Sequence, residues 1–175
     1  MRNIIYTDKI TNLEGEEIYT THYRDAISAS GLKNIEFLDI PKWACKIIIT
    51  VAELKQNTTG FIKMRVGYGN NSTYLKKGYF SCANTIGPTN SNHTSNSTNT
   101  DAFYFIGTAA ARIYTGHIEM YKCNENRWIG TSVFSSDSSQ QGVFSVTVGD
   151  LNKLQIIPHV TTSQFTQGHL SISYI

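Results

Sequence analysis

From Ile35 to Ile175, β-branched and aromatic residues recur in short runs, and each run is cut by Asn, Ser, Thr, Asp or Gly before it reaches helix length. The clearest run is Phe61 to Gly67, where Ile62, Met64 and Val66 fall on one face and Lys63 and Arg65 on the other. Thr115 to Lys122 places Ile118 and Met120 inward and His117, Glu119 and Tyr121 outward. Gly168 to Ile175 alternates Leu170, Ile172 and Tyr174 with Ser171 and Ser173. Further strand signals lie at 35–40, 46–54, 74–80, 102–107 (with Phe103 and Phe105 on one face), 128–134, 143–148 and 151–159. About nine or ten short strands and almost no helix predict an all-β chain, an antiparallel β-sandwich or jelly-roll-like fold. No fixed period suggests a repeat architecture.

One run breaks the alternation. Ile47, Ile48, Ile49, Thr50 and Val51 are β-branched without interruption, the pattern of a strand covered on both faces. In an antiparallel protein the second face needs another sheet or another subunit, so a further layer over this strand is expected. Cys123 to Arg127 reads as a hairpin turn, and Ser135 to Ser139 as a polar loop. Residues 89–100 contain no apolar residue, and the 86–101 segment reads as an exposed loop that either meets a receptor or is inert. Residues 1–34 differ from the rest: Glu14, Glu16 and Glu17 surround Gly15, and Tyr23 to Gly31 reads as a short helix ended by glycine or as a loop. The expected organisation is an N-terminal arm or connector over 1–34 and a β-domain over 35–175.

Charge narrows the partners. Charged residues make up 16% of the chain, against about 25% in an ordinary domain. The net charge is +2, and no Lys/Arg cluster exists beyond Lys76 and Lys77, so no phosphate-backbone footprint is present and no nucleic-acid partner is expected. No apolar run approaches the roughly 20 residues of a membrane span, and the opening residues carry no signal-peptide core. Cys45, Cys82 and Cys123 are odd in number and unpaired in spacing, which predicts buried or half-buried thiols in a protein made in a reducing cytoplasm. Neither these nor His22, His93, His117, His159 and His169 show metal-ligand spacing, so no metal and no cofactor is expected.

Catalytic signals are equally thin. Glu119 and Glu125 could in principle pair across a hairpin, but nothing in the sequence sets them at the roughly 5–9 Å that glycoside hydrolysis requires. No GxSxG nucleophile elbow occurs. A non-enzymatic chain is expected. The Asn-x-Ser/Thr triplets beginning at Asn57, Asn71, Asn92 and Asn96 follow from a composition rich in those residues. Tyr68, Tyr74, Tyr79 and Tyr114 lie near strand ends, where a flat ring with a polar tip suits a sugar or a protein epitope. With Asn92, His93 and Asn96 of the polar segment they form the candidate receptor-binding set, core packing being the competing use of each ring. Trp43 and Trp128 are assigned to the core.

Several blocks together resemble a known family. Phe37-Leu38-Asp39-Ile40-Pro41-Lys42-Trp43-Ala44-Cys45-Lys46 leads into the Ile47–Ile49 strand as an "IP-x-W" opening. Ile62 to Gly67 is similar to a "QIQLG" strand, and Gly78 to Asn84 to a "TGY-x-S-x-A" segment. Thr115 to Met120 with Asn126-Arg127-Trp128 resembles a "G-x-hydrophobic, then N-x-W" hairpin. Leu151 to Ile156 and Phe165 to Ile172 resemble an ending of the form "LD-x-hydrophobic" then "F-x-x-G-x-hydrophobic", with Asn152 where Asp is common. In this order, over 35–175, the blocks resemble the C-terminal receptor-binding tip domain of bacteriophage tail fibres.

The resemblance implies a trimeric β-sandwich tip that contacts the host cell surface, glycan or protein. It also implies a virion protein assembled in the bacterial cytoplasm, fastened to other tail or capsid proteins through residues 1–34. Such a tip is expected as a separate subunit, as a piece of a longer fibre, or as the same domain reused elsewhere on the virion. Two alternatives share the fold: a capsid decoration or head-fibre protein, and a lectin-like glycan-binding module.

Overall fold

The computed structural model describes residues 5–11, 17–69, 73–86, 92–108, 112–124, 127–135 and 139–175, with side chains over 24–69, 73–80, 101–104, 112–124, 127–135 and 142–175. Every element among them is a strand: β1 (Ile5–Thr11), β2 (Glu17–Ser28), β3 (Ile35–Phe37), β4 (Lys46–Gln56), β5 (Gly60–Tyr68), β6 (Tyr79–Ile86), β7 (Asn92–Thr100), β8 (Phe103–Thr108), β9 (Tyr114–Asn124), β10 (Arg127–Ser135), β11 (Ser139–Thr147), β12 (Leu151–Pro158) and β13 (Phe165–Tyr174). They form a nine-stranded sheet in the order β1-β2-β13-β4-β9-β10-β11-β6-β7 and a four-stranded sheet in the order β3-β12-β5-β8. All strand pairs are antiparallel, as the alternation predicts.

The apolar stripes read from the sequence meet in one core. Ile62, Met64 and Val66 of β5, Ile118 and Met120 of β9, and Leu170, Ile172 and Tyr174 of β13 belong to a single buried cluster. Each fully buried aliphatic side chain contributes roughly 1.5–3 kcal/mol relative to exposure. The two sheets touch through aromatic rings: Phe103 of the small sheet lies 4.2 Å from Phe144 and 4.7 Å from Tyr79 of the large one, centroid to centroid. Trp128 is in the core as assigned.

Five expectations change. The first concerns Tyr23 to Gly31, which is neither helix nor free loop. Residues up to Ser28 form β2, whose His22, Tyr23, Arg24, Ile27 and Ser28 pair with β13, and β1 adds a further strand outside it. Arg24 fixes this hairpin to the rest of the chain, its guanidinium donating to the carbonyls of Leu38 and Asp39 and lying over the Tyr174 ring. An edge hairpin needs main-chain partners more than an apolar pattern, which is why its periodicity is weak.

The second concerns the polar segment, where Asn92 to Thr100 is not a loop but strand β7, paired with β6 from Tyr79↔Thr100 to Ile86↔Asn92. A sheet-edge strand has no obligation to fill a core, and Thr suits pleated backbone.

The third concerns Ile47–Val51. Ile47, Ile49 and Val51 are fully buried, Ile48 is half-buried and Thr50 exposed, so this run alternates like the others. The fourth concerns Trp43, which is 53% exposed because it precedes β4 in the turn after Pro41 rather than lying on a core-facing strand. The last concerns the thiols: Cys45 and Cys123 are exposed and free rather than buried or half-buried.

Candidate binding surface

The outer face of the small sheet carries a grouping of polar and aromatic side chains. Alternation dictates it: with Ile62, Met64 and Val66 turned into the core, Phe61, Lys63 and Arg65 of β5 lie on the opposite face, where Phe61 is exposed, Arg65 half-buried and Lys63 buried. Register then brings neighbours to them. Lys63 pairs with Tyr104 of β8 and with Ile157 of β12, and Arg65 pairs with Gln155, which pairs in turn with Glu36 of β3.

At one end of this face three rings form a corner. Phe61 meets Tyr104 edge-on at 5.6 Å and His159 edge-on at 6.2 Å, and Tyr104 and His159 are 5.5 Å apart. Phe61 remains 42% exposed.

Beside the rings, Asp101 gathers both cations of β5. Its Oδ2 accepts from Lys63 Nζ at 3.1 Å and from Arg65 Nη2, its carbonyl accepts from Arg65 Nε at 3.1 Å, and Tyr104 Oη donates to Oδ1 at 3.1 Å. Partial burial by itself raises the Asp101 pKa, but the hydrogen bonds and charges of Arg65 and Lys63 outweigh it and bring the carboxyl down to about 2. Lys63 also lies over the Tyr104 ring at 5.7 Å.

At the far end Glu36 Oε1 accepts from Gln155 Nε2 and from Tyr74 Oη, both at 2.9 Å. Lys153 completes the surface. Its aliphatic stem fills the place of the missing side chain of Gly67, where an added Cβ would lie 2.3 Å from Lys153 Cε, and its ammonium sits 5.3 Å from the Tyr74 ring centre.

The sequence candidates divide. Tyr68 is exposed at the end of β5, and Tyr74 joins the small-sheet face through Glu36, its hydroxyl pKa raised first by burial and then by that carboxylate. Tyr79 and Tyr114 are corrected: both are 1% exposed and belong to the core. Tyr79 is held there by hydrogen bonds to β5 and to Leu75, and Tyr114 lies at the start of β9 facing inward. Asn92, His93 and Asn96 are in β7, but their side chains lie outside the described residues. Glu125 also lies outside them, while Glu119 accepts from the Tyr121 hydroxyl and forms an ion pair with Lys46 at 3.5 Å.

No family model, curated protein or solved structure matches the chain.

Phe61, Lys63, Arg65, Asp101, Tyr104, Gln155 and His159 escaped the sequence reading as a group. Their visible signal was the polar side of β5, Lys63 and Arg65 opposite a pure apolar stripe; the partners come from strands far away in sequence. A second outward surface lies on the large sheet. Phe80, Ile129 and Val143 are exposed there and line a shallow groove of about 570 Å³ with Arg127, Phe144 and Ser145. Val133 of β10 and Tyr121 of the neighbouring β9 are exposed as well.

Proposed function

We propose that this chain is a non-catalytic adhesion protein of a bacteriophage virion, a tail-fibre tip that contacts the host cell surface. The observation that carries the binding role is the open face of the small sheet, where an exposed aromatic corner adjoins planar hydrogen-bonding groups already held in place by their neighbours. Such groups recognise a partner with little ordering cost. The virion setting rests on the blocks over 35–175 that resemble phage tips. The two antiparallel sheets around one buried cluster are compatible with the sandwich that the resemblance implies.

A homotrimer is part of the proposal. Three copies would contact one another through the exposed apolar side chains Phe80, Ile129 and Val143 of the large sheet, and would add avidity to weak individual contacts. Residues 1–34 would fasten each copy to the virion. Light scattering at micromolar concentration is expected to give three times the chain mass, and a monomer would remove this part of the proposal.

The deciding experiment is immunogold electron microscopy of intact virions with antibody against the chain. Label at the tail end supports the tip role. Label over the head sinks it and transfers the fold to capsid decoration.

A further inference from the structure

We infer that the outer face of the small sheet takes an acidic oligosaccharide, with a sugar ring on Phe61 and a carboxylate on Arg65. This rests on the adhesion role proposed above and goes beyond it by naming the ligand chemistry. Two features of the face point the same way.

The first is shape. Phe61 offers an exposed ring at the edge of a three-ring corner that Tyr104 and His159 hold upright. An exposed apolar ring matches the C–H face of a pyranose. Along β5, Phe61 and Arg65 are four residues apart, a span of about 13 Å at strand rise. That is longer than one pyranose, so a ligand touching both must be a chain of sugars. Tyr104, beside Lys63, and Gln155, beside Arg65, carry hydroxyl and amide groups of the kind that meet sugar hydroxyls.

The second is charge. On this face Lys63, Arg65 and Lys153 stand against the two carboxylates Asp101 and Glu36. Asp101 shares one oxygen between two cations, which leaves an excess of positive charge beside it. Arg65 is the more exposed of that pair of cations, its side chain 26% accessible against 8% for Lys63. A guanidinium has more donors than the Nε and Nη2 bonds to Asp101 use, and its planar fork is the group best shaped to grip a second carboxylate.

The test is a glycan array of bacterial surface oligosaccharides, probed with the full chain and with Phe61→Ala, Arg65→Gln and Arg65→Lys. Matching thermal melts show that each variant folds. Binding is expected to uronic-acid-containing members, at least tenfold weaker in Phe61→Ala and Arg65→Gln, partly restored in Arg65→Lys, and lost when the sugar carboxyls are reduced. Hits confined to neutral members, unchanged binding in both loss variants, or no acidic hit at all would overturn the inference. The wider adhesion role is read separately, by competition of the free chain with phage adsorption to host cells. If the chain blocks adsorption and Phe61→Ala blocks it equally well, adhesion stands and this face is not the site. If the chain does not block adsorption, the adhesion role itself fails.

Discussion

The hydroxyl of Tyr79, on the large sheet, accepts the main-chain N–H of Val66, on the small sheet, at 2.9 Å while donating to the Leu75 carbonyl at 2.9 Å. One phenol thus joins the two sheets inside the core, and burial pushes its pKa up. Tyr79→Phe keeps the ring and leaves the Val66 N–H without this partner. The expected loss is about 1–3 kcal/mol, seen as a lower urea midpoint at unchanged slope. A midpoint equal to that of the parent would show that the bond does not contribute.

Acid should act on the Asp101 cluster. A carboxyl held lower in the folded chain than in the unfolded one favours folding above its ordinary value of 3.8, and that gain is lost as the pH falls from there to about 2. Carboxyl-carbon NMR is expected to give Asp101 a midpoint near 2 and a clearly higher one in Arg65→Met. A midpoint close to 3.8 in the parent would contradict the ion pairs to Lys63 and Arg65.

Alkali should act through Tyr174. Burial, first of all, pushes its hydroxyl up to about 12, with Arg24 opposing and Asp39 assisting. A phenol that resists ionisation in the fold stabilises it below the ordinary value of 10.0, and this contribution disappears as the pH rises to about 12. Phenolate absorbance should therefore show a late-ionising group of rings that includes Tyr174 with Tyr74 and Tyr79, and Tyr174→Phe should lower its amplitude by one ring. An unchanged late amplitude in the variant would show that Tyr174 ionises with the ordinary rings.

Gly116 marks a place where β9 and β10 tolerate no side chain. An added Cβ would lie 2.0 Å from the Val133 carbonyl oxygen, which is main chain and cannot swing aside. Gly116→Ala is expected to cost about 1–3 kcal/mol by thermal or urea unfolding. An alanine variant as stable as the parent would mean that the strands separate there without penalty.

What the sequence made legible follows from where side chains must go. β5, β9, β10 and β13 lie over the core, so burial enforces period two and their inward residues could be named in advance. β2 and β7 are held at or near the sheet's edges by main-chain pairing, and no apolar rhythm announces them. Tyr79, Tyr114 and Trp43 show that residue type does not fix burial: two tyrosines expected at the surface are interior, and a tryptophan expected inside is out. The small-sheet face was illegible as a unit because Phe61, Tyr104 and His159 come from β5, β8 and the residue after β12, and only strand register unites them.

From Asn92 to Thr100, β7 is written entirely in Asn, His, Ser and Thr, and its place is set by its ladder with β6 at the end of the large sheet. The ladder is made by the main chain, so it asks of these positions a backbone that can stay extended rather than an apolar pattern. This margin of the molecule can therefore drift in sequence almost independently of the core. Lineages carrying this fold would diverge there first, and a change in what the strand meets would leave the architecture beneath it intact.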